Sequence, residues 1–458
     1  MVLGCSSNAG KSLLVTGLIR WFSRQGIDAA PFKAQNMSNN ARVVDGGEIG
    51  VAQWLQGMAG GVEPSVDMNP VLLKPEGDAR SQVIVNGAVR PDLTEMPWRD
   101  RGPHLWPAMK EAYRRLDARH DLIVIEGAGS PAEINLDDLV NNRVLEYADA
   151  SAILVADIDR GGAFAHLYGT WALVPESTKA RLDGYILNCF RGDVDLLEPG
   201  PSDLTRMTSM RCVGVMPMLE HQLPDEEGGT IKGEAPEGSP TVAVVRGPYA
   251  SNLDEFHLLP WAATMRWATR PVDLEGADLV ILPGSKHVAA DARWLAARGL
   301  DRTIIDHAGH GTRILGICGG AMLLGTTVSD PTGIEGATTG LGLLPLSTKM
   351  NLEKVTTPVT LELTGLSDPW AALNGLTASG YEIRNGRISG EECRLAPQLW
   401  AAGSILATTV HGLLENPDVL EALTGHRPSP VLDHTFDLLA DAVDAHLDGK
   451  YLMSLIES

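Results

Sequence analysis

A glycine-rich segment near the start of the chain lies between a short apolar run and a segment of helical length. Residues 4–12 read GCSSNAGKS. Such a turn points consecutive backbone N–H groups at phosphate oxygens, and the helix N-terminus adds a positive field. Gly10 and Lys11 would then contact the phosphates of a bound ATP, and the Ser12 hydroxyl would bind Mg²⁺. The segment therefore predicts a phosphate-binding loop at the end of a strand.

The strand that precedes this loop is short. It comprises only Met1–Leu3, whereas a strand in a sheet normally runs about five residues. We therefore expect either a start codon upstream of Met1 or a frayed edge of the sheet at this point.

Short apolar runs alternate with segments of helical length in both halves of the chain. This alternation is typical of parallel sheets with helices on both faces, so we predict an α/β protein with two such domains. The candidate strands lie within residues 121–129, 150–158, 184–190, 212–218, 241–248, 278–285 and 313–320.

A change of composition divides the chain near its middle. Residues 223–240 read LPDEEGGTIKGEAPEGSP, and such Gly-, Pro- and Glu-rich sequence is typical of linkers. Apolar residues at helical spacing in 431–447 predict a terminal helix docked on the protein, with a partner-binding helix as the alternative. We therefore predict a first domain over 1–222, a linker over 223–239, a second domain over 240–421 and a C-terminal helical segment over 422–458.

The charge balance limits the classes of partner. Lys plus Arg number 37 and Asp plus Glu 58, a net charge of −21. Such a surface repels phosphate backbones and anionic lipid, so we expect neither a nucleic-acid nor a membrane partner. The five cysteines include no CxxC pair, which argues against disulfides and zinc clusters. No apolar stretch of membrane-spanning length and no leader-like N-terminus is present, so we predict a cytoplasmic protein.

Carboxylates near the phosphate loop are candidate ligands of Mg²⁺, because this ion prefers oxygen donors. Glu126 lies in VIEGAG at the carboxyl end of a predicted strand, where open α/β sheets bind ligands. Asp45 and Glu48 lie in VVDGGEIG, and Asp157 and Asp159 lie in ADIDRGG. We predict that Ser12, Glu126, Glu48 and Asp45 hold the metal.

The second half carries a Gly-x-Cys-x-Gly motif, GICGG, around Cys318. Small flanking residues permit the strained strand-to-helix turn that exposes a nucleophile, and the nearby helix N-terminus favours its thiolate. A buried structural cysteine is the alternative. A cysteine nucleophile needs a base, and His411 in ATTVHGLLEN is the histidine in the best context. Backbone amides at Gly319 and at Gly284, in LPGSKH, are predicted to hold an oxyanion.

These motifs occur together with longer runs that resemble the cobyric acid synthases, glutamine-dependent amide-forming enzymes of cobalamin biosynthesis. The resemblance covers nearly the whole chain. The matching runs in the first half are SSNAGKS, APFKAQNMSNN, GEIGVAQWLQ, GVEPSVDMNPVLLKP, IEGAGSPAEINL, ADIDRGGAFA and FRGD. Those in the second half are LPGSKH, GICGGAMLLG, GIEG, GLGLLPL, GYEIRNG and VHGLLEN.

The resemblance implies two cooperating domains. The first is similar to dethiobiotin synthetase, a P-loop fold with the longer phosphate loop seen here, and implies transfer of the ATP γ-phosphate to a substrate carboxylate. The second is similar to class I glutamine amidotransferases, which have a flavodoxin-like fold, and implies that Cys318 and His411 release ammonia from glutamine. Ammonia then displaces phosphate on the b, d, e and g carboxylates of adenosylcobyrinic acid a,c-diamide, which gives adenosylcobyric acid. A homo-oligomer is left open.

The implied corrinoid substrate is large and polyanionic, so an acidic protein needs a local cluster of basic and amide groups to bind it. A turn-rich loop without a substrate role is the alternative for the NMSNN run. Asn188 is the candidate for contact with the adenine of ATP. The candidate substrate-binding residues are Lys33, Gln35, Asn36, Asn39, Asn40, Arg42, Asp157, Asp159 and Arg160.

The chain departs from the family pattern at several positions. Many class I amidotransferases have a glutamate two residues after the histidine, and this position is Leu413 here. Another group must therefore orient His411, and Glu415 is nearby. Cys189 replaces a family lysine and Arg384 replaces a frequent histidine, which affects local contacts.

The motifs disfavour three other functions. A cobyrinic acid a,c-diamide synthase shares both domains, but the PFKAQNMSNN and SPAEINL runs favour the cobyric acid synthases. A P-loop switch protein of the partition-ATPase type would carry a second lysine early in the loop and lacks a cysteine elbow. A catalytically inactive scaffold is disfavoured because Lys11, Cys318 and His411 are all intact.

Overall fold

The computed structural model describes residues 1–77, 80–135, 138–224, 233–428 and 432–456. Residues 225–232 of the predicted linker lie outside the described residues, as do 429–431 and 457–458 of the predicted C-terminal segment. We call residues 1–224 the N-terminal unit and residues 233–428 the C-terminal unit.

A parallel sheet with the strand order β2-β9-β1-β10-β11-β12 forms the centre of the N-terminal unit. A smaller sheet, β3-β6-β7-β8, and the hairpin β4-β5 lie beside it. The strands are β1 (Val2–Gly4), β2 (Ala29–Phe32), β3 (Gln35–Met37), β4 (Ala41–Val44), β5 (Gly47–Gly50), β6 (Val71–Gly77), β7 (Arg80–Val85), β8 (Ala88–Val89), β9 (Leu122–Ile125), β10 (Ala152–Asp157), β11 (Leu182–Phe190) and β12 (Arg211–Pro217).

The first strand is short but lies inside the sheet. It pairs with β10 on one side, and Val2 forms a parallel bridge with Glu126, just after β9, on the other. The expectation of a frayed sheet edge here is therefore wrong, because β1 is paired on both sides. This pairing stabilises a strand of only three residues. The helices of this unit are α1 (Lys11–Arg24), α2 (Val51–Gly60), α3 (Pro91–Glu95), α4 (Gly102–Asp117), α5 (Asn142–Tyr147), α6 (Ala163–Leu173), α7 (Glu176–Lys179) and α8 (Gly200–Thr208).

The C-terminal unit is built on a second sheet, in the order β15-β13-β16-β18-β25-β24-β23. The first five strands in this order run parallel, β24 is antiparallel to β25, and β23 is antiparallel to β24. The strands are β13 (Thr241–Val245), β14 (Ala250–Ser251), β15 (Thr264–Ala268), β16 (Leu279–Leu282), β17 (Gly284–Ser285), β18 (Arg313–Ile317), β19 (Thr327–Ser329), β20 (Thr338–Thr339), β21 (Ser347–Glu362), β22 (Thr377–Ser389), β23 (Arg394–Ala396), β24 (Leu399–Ala402) and β25 (Ile405–Thr408).

Helices α9 (Val288–Arg298), α10 (Leu300–Gly309), α11 (Gly319–Leu324) and α12 (Pro417–Thr424) complete this unit. The prediction of an α/β protein with two parallel sheets is confirmed, and each candidate strand of the sequence analysis forms a strand. The long antiparallel pair β21–β22 was not predicted. It contacts β4 of the N-terminal unit, so it forms part of the boundary between the two units.

The chain returns to the N-terminal unit at its C-terminal end. Helices α13 (Leu432–His446) and α14 (Gly449–Ser454) follow α12, and α13 packs along α1. The side chain of Arg20 forms an ion pair of 2.8 Å with Asp437, and Trp21 Nε1 donates to Asp444 at 3.0 Å. The prediction of a docked terminal helix is confirmed. Within the described residues, no helix combines the length and apolarity needed to cross a bilayer.

Candidate active site

Cys318 occupies a sharp turn between β18 and α11. Its backbone has φ 50° and ψ −103°, which is unusual for a residue with a side chain, and its side chain is buried. The turn depends on glycine, because a Cβ at Gly320 would lie only 1.9 Å from the carbonyl oxygen of Leu282 on β16. The local sequence thus forms the strained elbow that the GICGG motif predicts.

His411 lies three residues beyond the end of β25, and β25 is the strand adjacent to β18. It is 2% exposed, and its ring is packed so closely that a Cβ at Gly284 would lie 2.7 Å from Cε1. Burial by itself would lower the pKa of His411, but Glu255 and Cys318 outweigh it through charge and hydrogen bonding and raise the pKa to about 10. The structure therefore brings the predicted nucleophile and base together.

Glu255 is the third member of this group, and it lies in none of the motifs that the sequence presents. Its Oε1 lies 2.9 Å from His411 Nδ1, and its Oε2 accepts a hydrogen bond of 2.9 Å from Gly412 N. The residue is fully buried in the 3-10 turn Leu253–Phe256. A carboxylate on Nδ1 fixes the ring orientation and leaves Nε2 for the thiol, so Glu255 fills the role left open by Leu413.

The predicted oxyanion residues lie next to the elbow. A Cβ at Gly319 would lie 2.6 Å from the backbone nitrogen of Ser285, so α11 and β17 approach each other closely. Gly284 and Ser285 pair with β14 in antiparallel fashion, and the Ser285 hydroxyl donates to Asp291 at 2.6 Å. These contacts fix the turn beside Cys318, where the oxyanion role of Gly284 and Gly319 stays a prediction.

A pocket at Cys318 and His411 is lined by charged residues from both units. Lys74 comes from the N-terminal unit, whereas Lys286 and Glu335 come from the C-terminal unit. Burial lowers the pKa of Lys286 and raises that of Glu335 to about 7. A pocket with both cationic and acidic groups suits a zwitterionic amino acid.

The glycine-rich loop of the N-terminal unit has the geometry of a phosphate site. Gly10 has φ 84°, and Lys11 Nζ donates to the carbonyls of Ser6 and Gly129 at 3.1 and 3.2 Å. Asn188 Nδ2 donates to Ala9 O at 2.9 Å, which places this side chain against the loop. The loop, Lys11 and Asn188 thus lie together, and contact between Asn188 and adenine stays a prediction.

Glu126 is the carboxylate that the fold places at this loop. Its two oxygens accept hydrogen bonds from Ser12 Oγ at 2.8 Å and from Gln56 Nε2 at 2.6 Å, and Lys33 Nζ lies 2.8 Å away. Burial by itself would raise the pKa of Glu126, but Lys33, Gln56 and Ser12 together lower it. Gln56 was missed as an individual residue, although it lies in the quoted run GEIGVAQWLQ.

The pair of Ser12 and Glu126 suits magnesium, because both supply oxygen atoms and Mg²⁺ usually keeps water and phosphate ligands besides one or two carboxylates. The described ranges contain no cluster of three or more His, Cys, Asp or Glu side chains arranged for a metal. These residues therefore fit an ion held largely by phosphate and water.

The other two predicted magnesium ligands lie elsewhere. Both oxygens of Glu48 are bound by lysines, Lys74 of the N-terminal unit and Lys354 of the C-terminal unit. Burial by itself would raise the pKa of Glu48, but the two lysines lower it to about 2. Asp45 is exposed at the end of the β4–β5 hairpin. The prediction that these carboxylates join Ser12 is corrected, because the hairpin directs Glu48 to the other unit.

The segment from Lys33 to Arg42 extends from the phosphate loop, where Lys33 binds Glu126, to the C-terminal unit. Asn36 Nδ2 donates to Gln53 Oε1 at 3.1 Å, and Asn40 Oδ1 accepts from Leu253 N at 3.1 Å. Gln35 is half-buried in β3, and the buried Asn39 Oδ1 has no hydrogen-bond partner among the described residues. Asn40 therefore lies at the boundary between the units, and the substrate role of the run stays a prediction.

The remaining predicted substrate residues follow β10. Arg160 Nε lies 2.9 Å from Asp157, and Asp159 N donates to Asp157 Oδ1 at 3.0 Å. Arg191 lies 3.4 Å from Asp159. These charged groups form a partly exposed cluster at the carboxyl end of the sheet, which is the edge that also carries the phosphate loop.

Comparison with known proteins gives matches along the whole chain. Residues 1–227 match the family model of the CobQ/CobB/MinD/ParA nucleotide binding domain, and residues 241–419 match that of the CobB/CobQ-like glutamine amidotransferase domain. A cobyric acid synthase of Variovorax paradoxus (strain S110) is 50% identical, with 100% of this chain and 98% of the relative covered. Another, of Paracidovorax citrulli (strain AAC00-1), is 50% identical, with 98% and 97% covered.

Proposed function

This chain belongs to the cobyric acid synthases, and from that membership we propose that it converts adenosylcobyrinic acid a,c-diamide to adenosylcobyric acid. It is a glutamine-dependent amidoligase. The proposed reaction forms amides at the b, d, e and g carboxylates, with ATP to activate each carboxylate and glutamine to supply ammonia. We propose that the enzyme acts in the cytoplasm, a reducing compartment that suits its free cysteines.

The observation that carries the glutaminase half is the arrangement of Cys318, His411 and Glu255 at the elbow. His411 holds the proton of the Cys318 thiol, and the thiolate sulfur attacks the glutamine amide carbon. The resulting oxyanion is held by backbone amides, for which Gly319 and Gly284 are the candidates. Collapse breaks the C–N bond, the imidazolium donates its proton to the leaving ammonia, and water then hydrolyses the thioester to glutamate.

Glu255 supports this cycle electrostatically. Because the pKa of His411 is raised to about 10, the ring holds a proton at neutral pH and has it ready for the leaving group. The bond to Nδ1 also prevents the ring from turning away from Cys318. In this scheme Glu255 acts only by position and charge.

The N-terminal unit supplies the activated carboxylate. The glycine-rich loop and Lys11 bind the ATP phosphates, and a substrate carboxylate oxygen attacks the γ-phosphorus, which gives an acyl phosphate and ADP. Ser12 and Glu126 are the residues that would hold Mg²⁺, which when bound supplies positive charge next to the phosphates. Ammonia then attacks the acyl carbon and phosphate leaves, so that the amide forms.

The proposal is tested by an end-point assay. Purified protein is mixed with Mg-ATP, glutamine and adenosylcobyrinic acid a,c-diamide, and the corrinoid is followed by mass spectrometry. Stepwise acid-to-amide mass changes, up to four, are the expected result. A parallel reaction starts from cobyrinic acid. Amidation of that substrate alone would contradict the proposal and favour a cobyrinic acid a,c-diamide synthase.

A further inference from the structure

Arg42 belongs to the N-terminal unit, but its side chain ends among residues of the C-terminal unit. It extends from β4 and is 4% exposed. Its Nη1 donates to Glu415 Oε2 at 2.8 Å, and its Nη2 contacts both Glu415 Oε1 and Asp254 Oδ2. One guanidinium therefore binds two carboxylates of the other unit.

Two aromatic rings lie close to this guanidinium. The Trp54 ring centre lies 5.0 Å away and that of Tyr381 5.3 Å away. Tyr381 in turn stacks on His411, with 5.5 Å between ring centroids and 22° between planes. The two residues also exchange backbone hydrogen bonds of 2.8 and 3.1 Å. Arg42 is thus separated from the base of the glutaminase by a single ring.

Both carboxylates that Arg42 binds lie next to the catalytic group in sequence. Asp254 immediately precedes Glu255, and Glu415 ends the 3-10 turn that follows Gly412, whose amide binds Glu255. Without a cation, the buried Asp254 and the half-buried Glu415 would be unpaired negative charges beside the Glu255–His411 pair. Such charges are costly to bury and raise the proton affinity of their neighbours.

We propose that Arg42, supplied by the N-terminal unit, is a positioning residue of the glutaminase. Its positive charge offsets part of the negative charge of Asp254 and Glu415, so that Glu255 remains the main carboxylate acting on His411. The inference rests on the proposed glutaminase role of Cys318 and His411. It assigns the NMSNN-Ala-Arg run a function besides substrate binding, because the first unit completes the electrostatic surroundings of the second unit's active site.

The change in charge predicts the direction in which the pH profile of glutamine hydrolysis should move. Loss of the Arg42 cation leaves a more negative site, which raises the proton affinity of the Cys318–His411 pair and moves the whole profile to higher pH, by about one unit. The charged and titratable groups around His411 that enter this balance are Glu255, Asp254, His257, Cys318, Tyr381, Glu415 and Arg42.

The experiment measures kcat/KM for glutamine hydrolysis against pH in the full chain. Arg42→Gln is expected to move the profile upward, and the double variant Arg42→Gln/Glu415→Gln, which has the same net charge in this cluster as the wild type, is expected to return it to the wild-type position. A contact that only held the two units together would not be rescued, since this double variant has no ion pair left between Arg42 and the two carboxylates. Arg20→Gln, which breaks the pair with Asp437 at another contact, is the control and leaves the profile in place.

A second variant tests the inference even if Arg42→Gln does not fold. Asp254→Asn/Glu415→Gln retains Arg42 as an unbalanced cation and is expected to move the profile to lower pH. An unmoved profile in this variant, or in folded Arg42→Gln, overturns the inference. These outcomes are distinct from failure of the proposed function, in which Cys318→Ala would still hydrolyse glutamine.

Discussion

Glu255 Oε1 and His411 Nδ1 lie 2.9 Å apart, although 156 positions separate the two residues in the chain. The carboxylate approaches from a 3-10 turn after β13, whereas the histidine follows β25. In many class I amidotransferases the glutamate stands two residues after the histidine, a position occupied here by Leu413. In this chain the carboxylate on the histidine comes from a segment that precedes the histidine by 156 positions.

Replacement of Glu255 by glutamine removes the charge and nearly preserves the shape. We expect glutamine hydrolysis to fall by about 10²-fold or more, because the base loses its orienting partner. The pKa of His411 is about 10 with Glu255 present, so loss of the carboxylate lowers it and moves the alkaline limb of the pH profile to lower pH. Kinetics of glutamate release against pH provide the measurement.

The matched control for this change is Glu362→Gln, at an exposed position of β21. Synthesis with ammonium salts should remain in Glu255→Gln, because the N-terminal unit is untouched. An alkaline limb that stays in place would contradict the assignment of Glu255 as the partner of His411.

The sequence alone predicts a functional residue when the role of that residue depends on its own local motif. The elbow at Cys318, the loop at Lys11 and the carboxylate Glu126 each lie in a local strand-to-helix pattern, so they could be predicted. Glu255 could not, since it depends on how a turn after β13 packs against β25. The one available signal was a pair of acidic residues, Asp254 and Glu255, among the leucines and the phenylalanine of the run NLDEFHLL.

The contact surface between the two units could not be predicted from the sequence for the same reason. The run 347–362 carries Thr, Lys and Glu among its apolar residues, and its partner strand begins only at Thr377. Glu48 lies in a motif that suggested a metal ligand, yet Lys354 of that long strand binds it. A local pattern identifies a carboxylate, but only the packed structure selects its partner.

Gly284→Ala tests the packing around the base. The added Cβ would lie 2.7 Å from His411 Cε1, closer than van der Waals contact, so the ring must move. A displacement of about 1 Å in a catalytic group can cost about 10²-fold in rate, and we expect a loss of that order in glutaminase activity. Gly309→Ala is the control, because nothing lies within 4 Å of its Cβ. Equal activity of the two variants would show that the ring has room to adapt.

Cys318→Ala and Lys11→Ala should separate the two half-reactions. Removal of the thiol abolishes use of glutamine, but ammonium salts should still support ATP-dependent amide formation. Removal of Lys11, whose ammonium group lies over the phosphate loop, should abolish synthesis from either nitrogen source. Both activities are measured by corrinoid mass change. Loss of ammonia-dependent synthesis in folded Cys318→Ala would contradict this division of labour.

Glu126→Gln tests the magnesium site. The change retains a hydrogen-bonding group next to Ser12 but removes the negative charge. We therefore expect the Mg²⁺ concentration for half-maximal synthesis to rise about 10-fold or more. Asp45→Asn is the matched control: the sequence also suggested it as a ligand, but the structure exposes it on a hairpin. A magnesium titration with ammonium as nitrogen source gives the measurement. A shift in Asp45→Asn with none in Glu126→Gln would reverse our assignment.

Phe436→Ala tests whether the C-terminal helix is part of the N-terminal unit's core. Phe436 on α13 is 1% exposed and packs with Val51, Leu55 and Ala59 of α2. Removal of a buried phenyl ring costs about 3–5 kcal/mol, so the free energy of unfolding from urea denaturation should fall by that amount. Hydrogen exchange in α2 should also become faster, since the missing ring uncovers that helix. Leu196→Ala, at a side chain 81% exposed, is the control and should change stability by less than about 0.5 kcal/mol. If Phe436→Ala behaved like this control and α2 kept its protection, the helix would be a loosely attached extension, and the return of the chain to its first unit would not stabilise the fold.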